Sequence, residues 1–327
     1  MMTKLSVIIE AIEKTAIPCG AAAWDKSGMQ VASRRDGIST LAVALDPTPD
    51  TISRAVQAGA QMVLTHHPLT MKPRFLDVAD AHHQVVAMLL SGDIALYGAH
   101  TSLDANPHGP VGWLGRALDL AATSVLEPTC RQERVSHLVL LATPLPEALS
   151  ASELMLAHRA VAGGHIITCD AANWPALRTL LQQHTTAAVI PVAAELPPNQ
   201  LGIGMVGDLA QPQDFATFLN TLATLVPLQG ASICGAPPAM VRRVAYCTGS
   251  GSSLADDAFR HGADVFITGD VKYHAALDTR GCIIDVGHFS LEEEMMRRFA
   301  TQLAQELPAL EVVFLPAQDP LRPLRPA

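Results

Sequence analysis

Residues 62–68 read MVLTHHP, an apolar run that ends in two adjacent imidazoles and a proline. Similar apolar runs occupy 41–45 and 94–97, and helical patterns over 50–58 and 78–91 lie between the three runs. Strands that alternate with helices of about 10–15 residues are typical of an α/β fold with a mostly parallel sheet. We therefore predict this fold for the first part of the chain.

The same alternation returns near the end of the chain. Strands and helices are predicted in turn over 241–246, 252–261, 265–267, 271–279, 282–284, 291–306 and 312–314. The sequence therefore predicts an α/β architecture with two similar halves, which together complete one discontinuous domain of residues 1–127 and 201–327.

Composition changes between the halves, where seven prolines fall within residues 128–200. The pattern there predicts a strand, helix, strand, helix and strand over 137–142, 150–162, 166–169, 175–184 and 188–192. We interpret residues 128–200 as a small α+β insert.

Composition also narrows the classes of function. The formal net charge is −9, and nucleic-acid binding proteins rely on basic patches, so a nucleic-acid partner is disfavoured. No stretch reaches the roughly 18 apolar residues of a membrane span, and acidic residues interrupt the apolar start of the chain, which argues against a signal peptide. Six widely spaced cysteines, with no Cys-x-x-Cys pair, indicate reduced thiols in a cytoplasmic protein.

Histidines and carboxylates follow four of the predicted strands. They are His66 and His67, His100 with Asp104, Asp270 with His274, and His288 with Glu292. Each group also has a purely structural explanation. His66 and His67 could be a surface pair, and Asp104 or Asp270 could cap a helix. The acidic residues after His288 could stabilise the positive end of a helix dipole. In the last group, Ser290 and Glu293 fit a capping box that would start a helix at Leu291.

The repetition of this pattern favours metal binding. Open α/β sheets bind ligands beyond the carboxyl ends of their strands, so the four groups are expected to face one crevice. Imidazole and carboxylate ligands suit two divalent transition-metal ions such as Zn, Mn or Fe. Five or six ligands exceed the three that one catalytic zinc needs and suit two ions about 3.5–4 Å apart.

Two glycine-rich stretches have features of phosphate-binding loops. Gly202 to Gly207 matches Gly-x-Gly-x-x-Gly, but prolines flank it and no helix follows at once, so a strand is favoured over a dinucleotide site. Gly249 to Ser253 lies between a strand and a helix, where it could hold an anion or be an ordinary loop.

Five motifs resemble those of the Nif-three-like family, also described as GTP cyclohydrolase type-two homologues or dinuclear metal-centre hexameric proteins. They are WDKSGMQV (24–31), THHPL (65–69), HTSLD (100–104), TGDVKYH (268–274) and DVGHFSLE (285–292). The resemblance implies a dinuclear site at His66, His67, Asp104, His288 and Glu292, with Glu292 as the bridge. It also implies a ring-shaped homohexamer, with the insert in the position of an oligomerisation domain.

The resulting hypothesis is a dinuclear metal-dependent hydrolase that acts on a cyclic C–N bond of a nucleotide-like substrate, as a GTP cyclohydrolase does. His100 or His274 would carry the proton, since imidazole titrates near neutral pH, and Asp270 would orient His274. The family resemblance also allows His100 to be a weak metal ligand instead. The alternative is a metal-binding chaperone or regulatory scaffold without turnover. A shaped pocket beside the metals would favour the hydrolase.

Overall fold

The structure is a computed structural model of the chain, and it describes residues 2–149, 152, 154–155, 157–162, 164–170, 173–185 and 189–322. The chain divides into two compact units. One unit contains Met1–Cys130 and Leu201–Ala327, and the other contains Arg131–Gln200. Among the described residues, no helix is both long and apolar enough to cross a membrane.

The described residues alternate between strands and helices over most of the chain. The strands are β1 (Thr3–Lys4), β2 (Gly28–Val31), β3 (Gly37–Ile38), β4 (Thr40–Ala44), β5 (Met62–Thr65), β6 (Ala95–Gly98), β7 (Leu120–Leu141), β8 (Ala157–Val161), β9 (Gly164–Asp170), β10 (Val189–Asp214), β11 (Ser232–Cys234), β12 (Met240–Ser250), β13 (Val265–Gly269), β14 (Cys282–Asp285) and β15 (Glu311–Phe314). The α-helices are α1 (Leu5–Thr15), α2 (Pro49–Gln57), α3 (Ala81–Gly92), α4 (Thr101–Asp104), α5 (Trp113–Ala117), α6 (Trp174–His184), α7 (Phe215–Leu225), α8 (Ala255–Arg260), α9 (Tyr273–Asp278) and α10 (Phe289–Glu306). The predicted α/β class is confirmed.

The first half of the larger unit is a five-stranded sheet in the order β15-β4-β5-β6-β2. The first four strands are parallel, and β2 runs antiparallel to β6. Every residue of β4, β5 and β6 is buried, as expected for parallel strands covered on both faces. The C-terminal strand β15 thus joins the sheet of the first half.

The second half repeats the parallel core. Strands β12, β13 and β14 are parallel neighbours, while β10 and β11 pair antiparallel at β12 and β14. One apolar cluster joins the two halves and includes Leu41, Ile267 and Phe299. Trp113 ties the halves further, since its Nε1 donates to the carbonyl of Leu291 over 3.2 Å. This shared core holds the ends of both sets of strands in place.

The described residues of the smaller unit include antiparallel strands and the helix α6. Strand β9 pairs with the end of β7 and with β8, and α6 buries Leu177 and Leu181 in the local core. The helix predicted over 150–162 is wrong from Ala157 to Val161, where β8 forms. Antiparallel pairing with β9 overrides the local helical spacing there. Residues 150, 151, 153 and 156 of that prediction lie outside the described residues.

The predicted start of the last helix also needs correction. Helix α10 begins at Phe289, its N-cap is His288, and no side chain caps it. Ser290 therefore lies inside the first turn, and the expected capping box does not form. Glu293 instead accepts a hydrogen bond from the amide of Ala317 over 2.8 Å, which anchors the segment after β15. The Gly202 to Gly207 stretch lies within β10, which confirms the strand favoured from the sequence.

Candidate metal centre

Four of the predicted imidazoles converge at the carboxyl ends of strands from both halves. His66 and His67 directly follow β5, His100 follows β6, and His288 lies between β14 and α10. The ring centroids are 5.0 Å apart for His66 and His67, 5.1 Å for His66 and His100, and 5.5 Å for His67 and His288. Strand ends far apart in sequence thus bring four rings to one point.

Two carboxylates face these rings. Glu292 lies in the first turn of α10, with Oε1 3.4 Å from Nε2 of His66. Its Oε2 lies 3.4 Å from Nε2 of His67 and 3.1 Å from Nε2 of His288. Asp104, the last residue of α4, places Oδ2 3.7 Å from Nε2 of His66. The two oxygens of Glu292 therefore address different imidazoles.

Each of the four imidazoles has an oxygen acceptor at Nδ1. The acceptors are the carbonyl of Ala99 for His66 (3.2 Å), Asp46 for His67 (2.7 Å), Asp25 for His100 (2.7 Å) and Asp270 for His288 (2.6 Å). A carbonyl or carboxylate oxygen only accepts, so Nδ1 is the protonated nitrogen of each neutral ring. The Nε2 lone pairs are left for a ligand, which is the usual arrangement of metal-binding histidines.

Asp25 is itself held by several donors. Its Oδ2 accepts from the amide of Thr101 (3.0 Å), from Oγ1 of Thr101 (2.5 Å) and from Oγ of Ser27 (2.6 Å). Burial opposes ionisation, but the hydrogen bonds from His100, Ser27 and Thr101 hold the pKa of Asp25 well below its usual range. Asp25 is therefore a fixed anion that orients His100.

Asp270 has a different hydrogen-bond partner from the one predicted. The N-cap of α9 is Lys272, not Asp270, and Asp270 has a left-handed backbone with φ 57°. That conformation directs its carboxylate to His288. Among the described residues, no hydrogen bond joins Asp270 to His274, whose ring contacts Tyr273 at 5.5 Å between centroids. The structure does not bring His274 into the group of four imidazoles.

The donor set fits a metal ion. Nε2 of His66 and Oε2 of Glu292 are buried and lack a hydrogen-bond partner among the described residues. Although complete burial opposes it, the nearby Asp104 and Glu292 raise the pKa of His66 to about 9. Burial alone would raise the pKa of Glu292, but the surrounding imidazoles hold it well below its usual range. A buried site that attracts protons this strongly is also suited to divalent cations.

Gly249 allows the close approach of β12 to the centre. Its φ is +60°, and a Cβ built there would lie 2.1 Å from Oε1 of Glu292. The preceding Thr248 donates from Oγ1 to Oδ1 of Asp104 over 2.9 Å. The glycine that the sequence placed in a loop or anion site therefore lies against a carboxylate of the metal centre.

Comparison with known proteins identifies the family. The profile of Duf34/NIF3 (NGG1p interacting factor 3) matches residues 3–320. This chain belongs to the Duf34/NIF3 family. A Bacillus subtilis protein named GTP cyclohydrolase 1 type 2 homolog is 25% identical and covers 90% of this chain and 90% of its own length. A homolog of the same name from Streptomyces coelicolor is 26% identical, and the match covers 92% of this chain and 86% of the homolog.

Solved structures agree on the NIF3 fold. A Bacillus cereus protein related to NIF3 superposes with a TM-score of 0.76 at 24% identity, over 99% of this chain and 100% of its own. The Staphylococcus aureus protein SA1388 gives a TM-score of 0.71 at 21% identity, over 98% of this chain and 99% of its own.

In this NIF3 chain, a cavity of about 650 Å³ opens beside the imidazoles. His67 and His288 line it, together with Asp46, Phe289 and Arg322. Its volume lies within the roughly 300–1,000 Å³ of pockets that bind small molecules. The wall is both apolar and polar, so the cavity has room for an organic molecule next to the residues that could hold a metal ion.

Sequence reasoning missed two residues of this NIF3 site. Asp46 directly follows the strand predicted at 41–45, and the rule that found His66 could have found it too. Asp25 lies in a quoted motif, but it precedes β2, so the strand-end rule gives no signal for it.

Proposed function

We propose that this protein is a dinuclear metal-dependent hydrolase that opens a cyclic C–N bond of a nucleotide-like substrate. The cavity next to His67 and His288 carries the proposal, because a centre that only stores metal needs no space for an organic molecule. The name GTP cyclohydrolase 1 type 2 homolog, which relatives at about one-quarter identity bear, supports this reaction class.

Two ions, of Zn, Mn or Fe, are proposed to share Glu292 as a bridging ligand. Its Oε1 faces His66, with Asp104 beside it, while Oε2 faces His67 and His288. Bound there, divalent ions would polarise the electrophilic carbon and activate water as the nucleophile. The buried carboxylates balance part of the added positive charge.

His100 is proposed to carry the proton. Its ring lies 5.1 Å from that of His66, and Asp25 fixes its Nδ1, so Nε2 is the nitrogen free to exchange a proton with substrate. His274, the other proton carrier predicted from the sequence, contacts Tyr273 and is the weaker candidate. Asp270 is proposed as a positioning residue for His288.

Activity assays with a metal-site variant test the proposal. Wild type loaded with Zn, Mn or Fe would be assayed on GTP and a panel of cyclic amidines, beside chelator-treated protein and Glu292→Ala. Glu306→Ala, an exposed carboxylate on the same helix, is the matched control. We expect turnover only for metal-loaded wild type and the control. Equal turnover by the metal-free protein or by Glu292→Ala would refute a metal-dependent reaction.

A metal-binding chaperone or regulatory scaffold is the second candidate. The observation in its favour is the fixed donor set, because Nδ1 of every imidazole is already held and the ligands need little reorganisation. Tight metal binding by wild type, with no turnover on any compound of the panel, would select this function over the hydrolase.

A cytoplasmic homohexamer is proposed as the working form, with no nucleic-acid partner, and residues 128–200 are proposed to support assembly. One chain has a mass of 34.6 kDa. Light scattering of the full-length protein would show a particle of six such masses. A monomer at micromolar concentration would contradict the proposed assembly.

A further inference from the structure

A second concave site lies on the larger unit, away from the cavity beside the imidazoles. It has a volume of about 320 Å³, and side chains from two segments line it: His108, Arg116, Arg297, Arg298, Thr301 and Gln302. Among the described residues that line it, none is acidic. Three guanidinium groups around one hollow are unusual in a chain whose formal net charge is −9.

The three guanidinium groups are held in place. Arg116 donates from Nη2 to the carbonyl of Gly109 over 3.0 Å. Arg298 stacks on Trp113, with 5.3 Å from Cζ to the ring centroid. Arg297 and Arg298 both bind Glu294, Arg297 with two hydrogen bonds of 2.6 Å and Arg298 with one of 2.7 Å. Fixed side chains lose little further freedom when a ligand binds.

The charges around the hollow do not cancel. Glu294 supplies one negative charge to two arginines, and Arg116 is held by a neutral carbonyl. The cluster therefore keeps an excess of two positive charges. Each guanidinium also has five N–H donors in a planar fork, and most of them are not used by the contacts above. An acceptor with several oxygens and at least two charges complements this arrangement.

We propose that this hollow, defined by Arg116, Arg297 and Arg298, is a binding site for the phosphate group of a small phosphorylated molecule. Phosphate is favoured over a carboxylate because it carries about two charges and can bind more than one guanidinium fork at once. Thr301, Gln302 and His108 add neutral donors around the rim. The volume accommodates a phosphate together with a compact organic part.

The proposed phosphate site is separate from the metal centre. Both lie along α10, but Glu292 is in its first turn and the arginines begin five residues later. At a rise of about 1.5 Å per residue, the lining residues of α10, from Arg297 to Gln305, lie roughly 8–20 Å beyond Glu292 along the helix axis. Trp113 connects the two regions, since it stacks under Arg298 and donates to the carbonyl of Leu291. The inference does not depend on the proposed hydrolase activity.

Calorimetric titration with inorganic phosphate tests the site in the full-length protein. We expect saturable binding of one phosphate here, weakened at least tenfold in Arg116→Gln and in Arg298→Gln. Arg298→Lys, which keeps the charge but loses the fork, should bind with intermediate affinity. Arg260→Gln, an exposed arginine paired with Asp257, is the matched control and should bind like wild type.

Titration of Glu292→Ala distinguishes phosphate that binds at the metal centre, because the hollow of Arg116, Arg297 and Arg298 should still bind phosphate in that variant. Acetate, with one charge, should bind at least tenfold more weakly than phosphate. Arg116 and Arg298 lie on different elements, so misfolding of one variant, detected by its melting temperature, leaves the other as a test. The same phosphate affinity in both arginine variants and wild type, no saturable binding, or equal binding of acetate would overturn the proposal.

Discussion

Oδ1 of Asp25 lies 2.7 Å from Nδ1 of His100, and this hydrogen bond connects two segments 75 residues apart in sequence. The exposed fraction of the Asp25 side chain is 1%, so water does not compete for its carboxylate. The bond fixes both the orientation and the protonated nitrogen of the His100 ring. Asp25 therefore controls the geometry of the proposed proton carrier, whereas the Nδ1 atoms of the other three imidazoles are held by other acceptors.

Asp25→Asn should lower turnover while metal binding is retained. The amide keeps the shape but can no longer act as a fixed anion, so the favoured tautomer of His100 is lost. Partners of this kind typically contribute 10- to 100-fold. The measurements are turnover on the best substrate of the panel and bound metal by mass spectrometry. The exposed Asp256→Asn is the control. Loss of metal instead of turnover would make His100 a ligand and not a proton carrier.

Gly249→Ala should remove metal from an otherwise folded protein. A Cβ at this position would lie 2.1 Å from Oε1 of Glu292 and 3.2 Å from Nε2 of His288. Gly262→Ala is the matched control, because its φ is also positive (+79°) but the nearest atom would be 3.8 Å away. Both variants should lose about 1 kcal/mol or more of stability from backbone strain. Metal retained by Gly249→Ala at wild-type stoichiometry would contradict the close approach.

The site residues at the strand ends could be predicted from the sequence because the pattern that marks them is local. Polar residues follow each apolar run within a few positions, so the sequence alone is enough to name His66, His67, His100 and His288. The partners of these residues could not all be found this way. Whether Asp270 serves His274 or His288 depends on its left-handed backbone, which a non-glycine residue seldom adopts.

The small insert shows the other limit of local patterns. Residues 157–161 have no strong helix stop before them, and their strand conformation comes from pairing with β9. Such pairing depends on residues elsewhere in the chain, so local spacing gave the wrong element.

Asp270→Asn should weaken metal binding without unfolding the protein. Asparagine accepts the left-handed backbone that Asp270 adopts at φ 57°, but it removes the anion from Nδ1 of His288. We expect a 10- to 100-fold loss of metal affinity in a competition titration with a chelating dye. Asp119→Asn, with φ 51°, controls for the backbone conformation. Equal losses in both variants would mean that backbone strain, and not the hydrogen bond, caused the effect.

Removal of metal should make stability depend on pH between about 6.5 and 9. Without metal, Asp104 and Glu292 raise the pKa of His66 from 6.5 to about 9. A pKa raised by folding stabilises the folded state fully below 6.5, and this contribution is lost as pH rises through 9. For the fully buried His66 the loss is of order 3 kcal/mol, at 1.36 kcal/mol per pKa unit. The pKa of His288 is also raised to about 9, chiefly by the Glu292 carboxylate 3.1 Å from its Nε2, so His288 acts in the same direction.

Melting temperatures of chelator-treated protein from pH 6 to 9.5 measure this effect. The metal-free protein should become less stable across the range. The metal-loaded protein should not lose stability in this way, because its imidazoles must be deprotonated to bind the ions. His66→Gln should reduce the slope of the metal-free protein, whereas the exposed His184→Gln should leave it unchanged. If the melting temperature of the metal-free protein stays constant or rises from pH 6.5 to 9, the two carboxylates do not hold the imidazoles in their charged form.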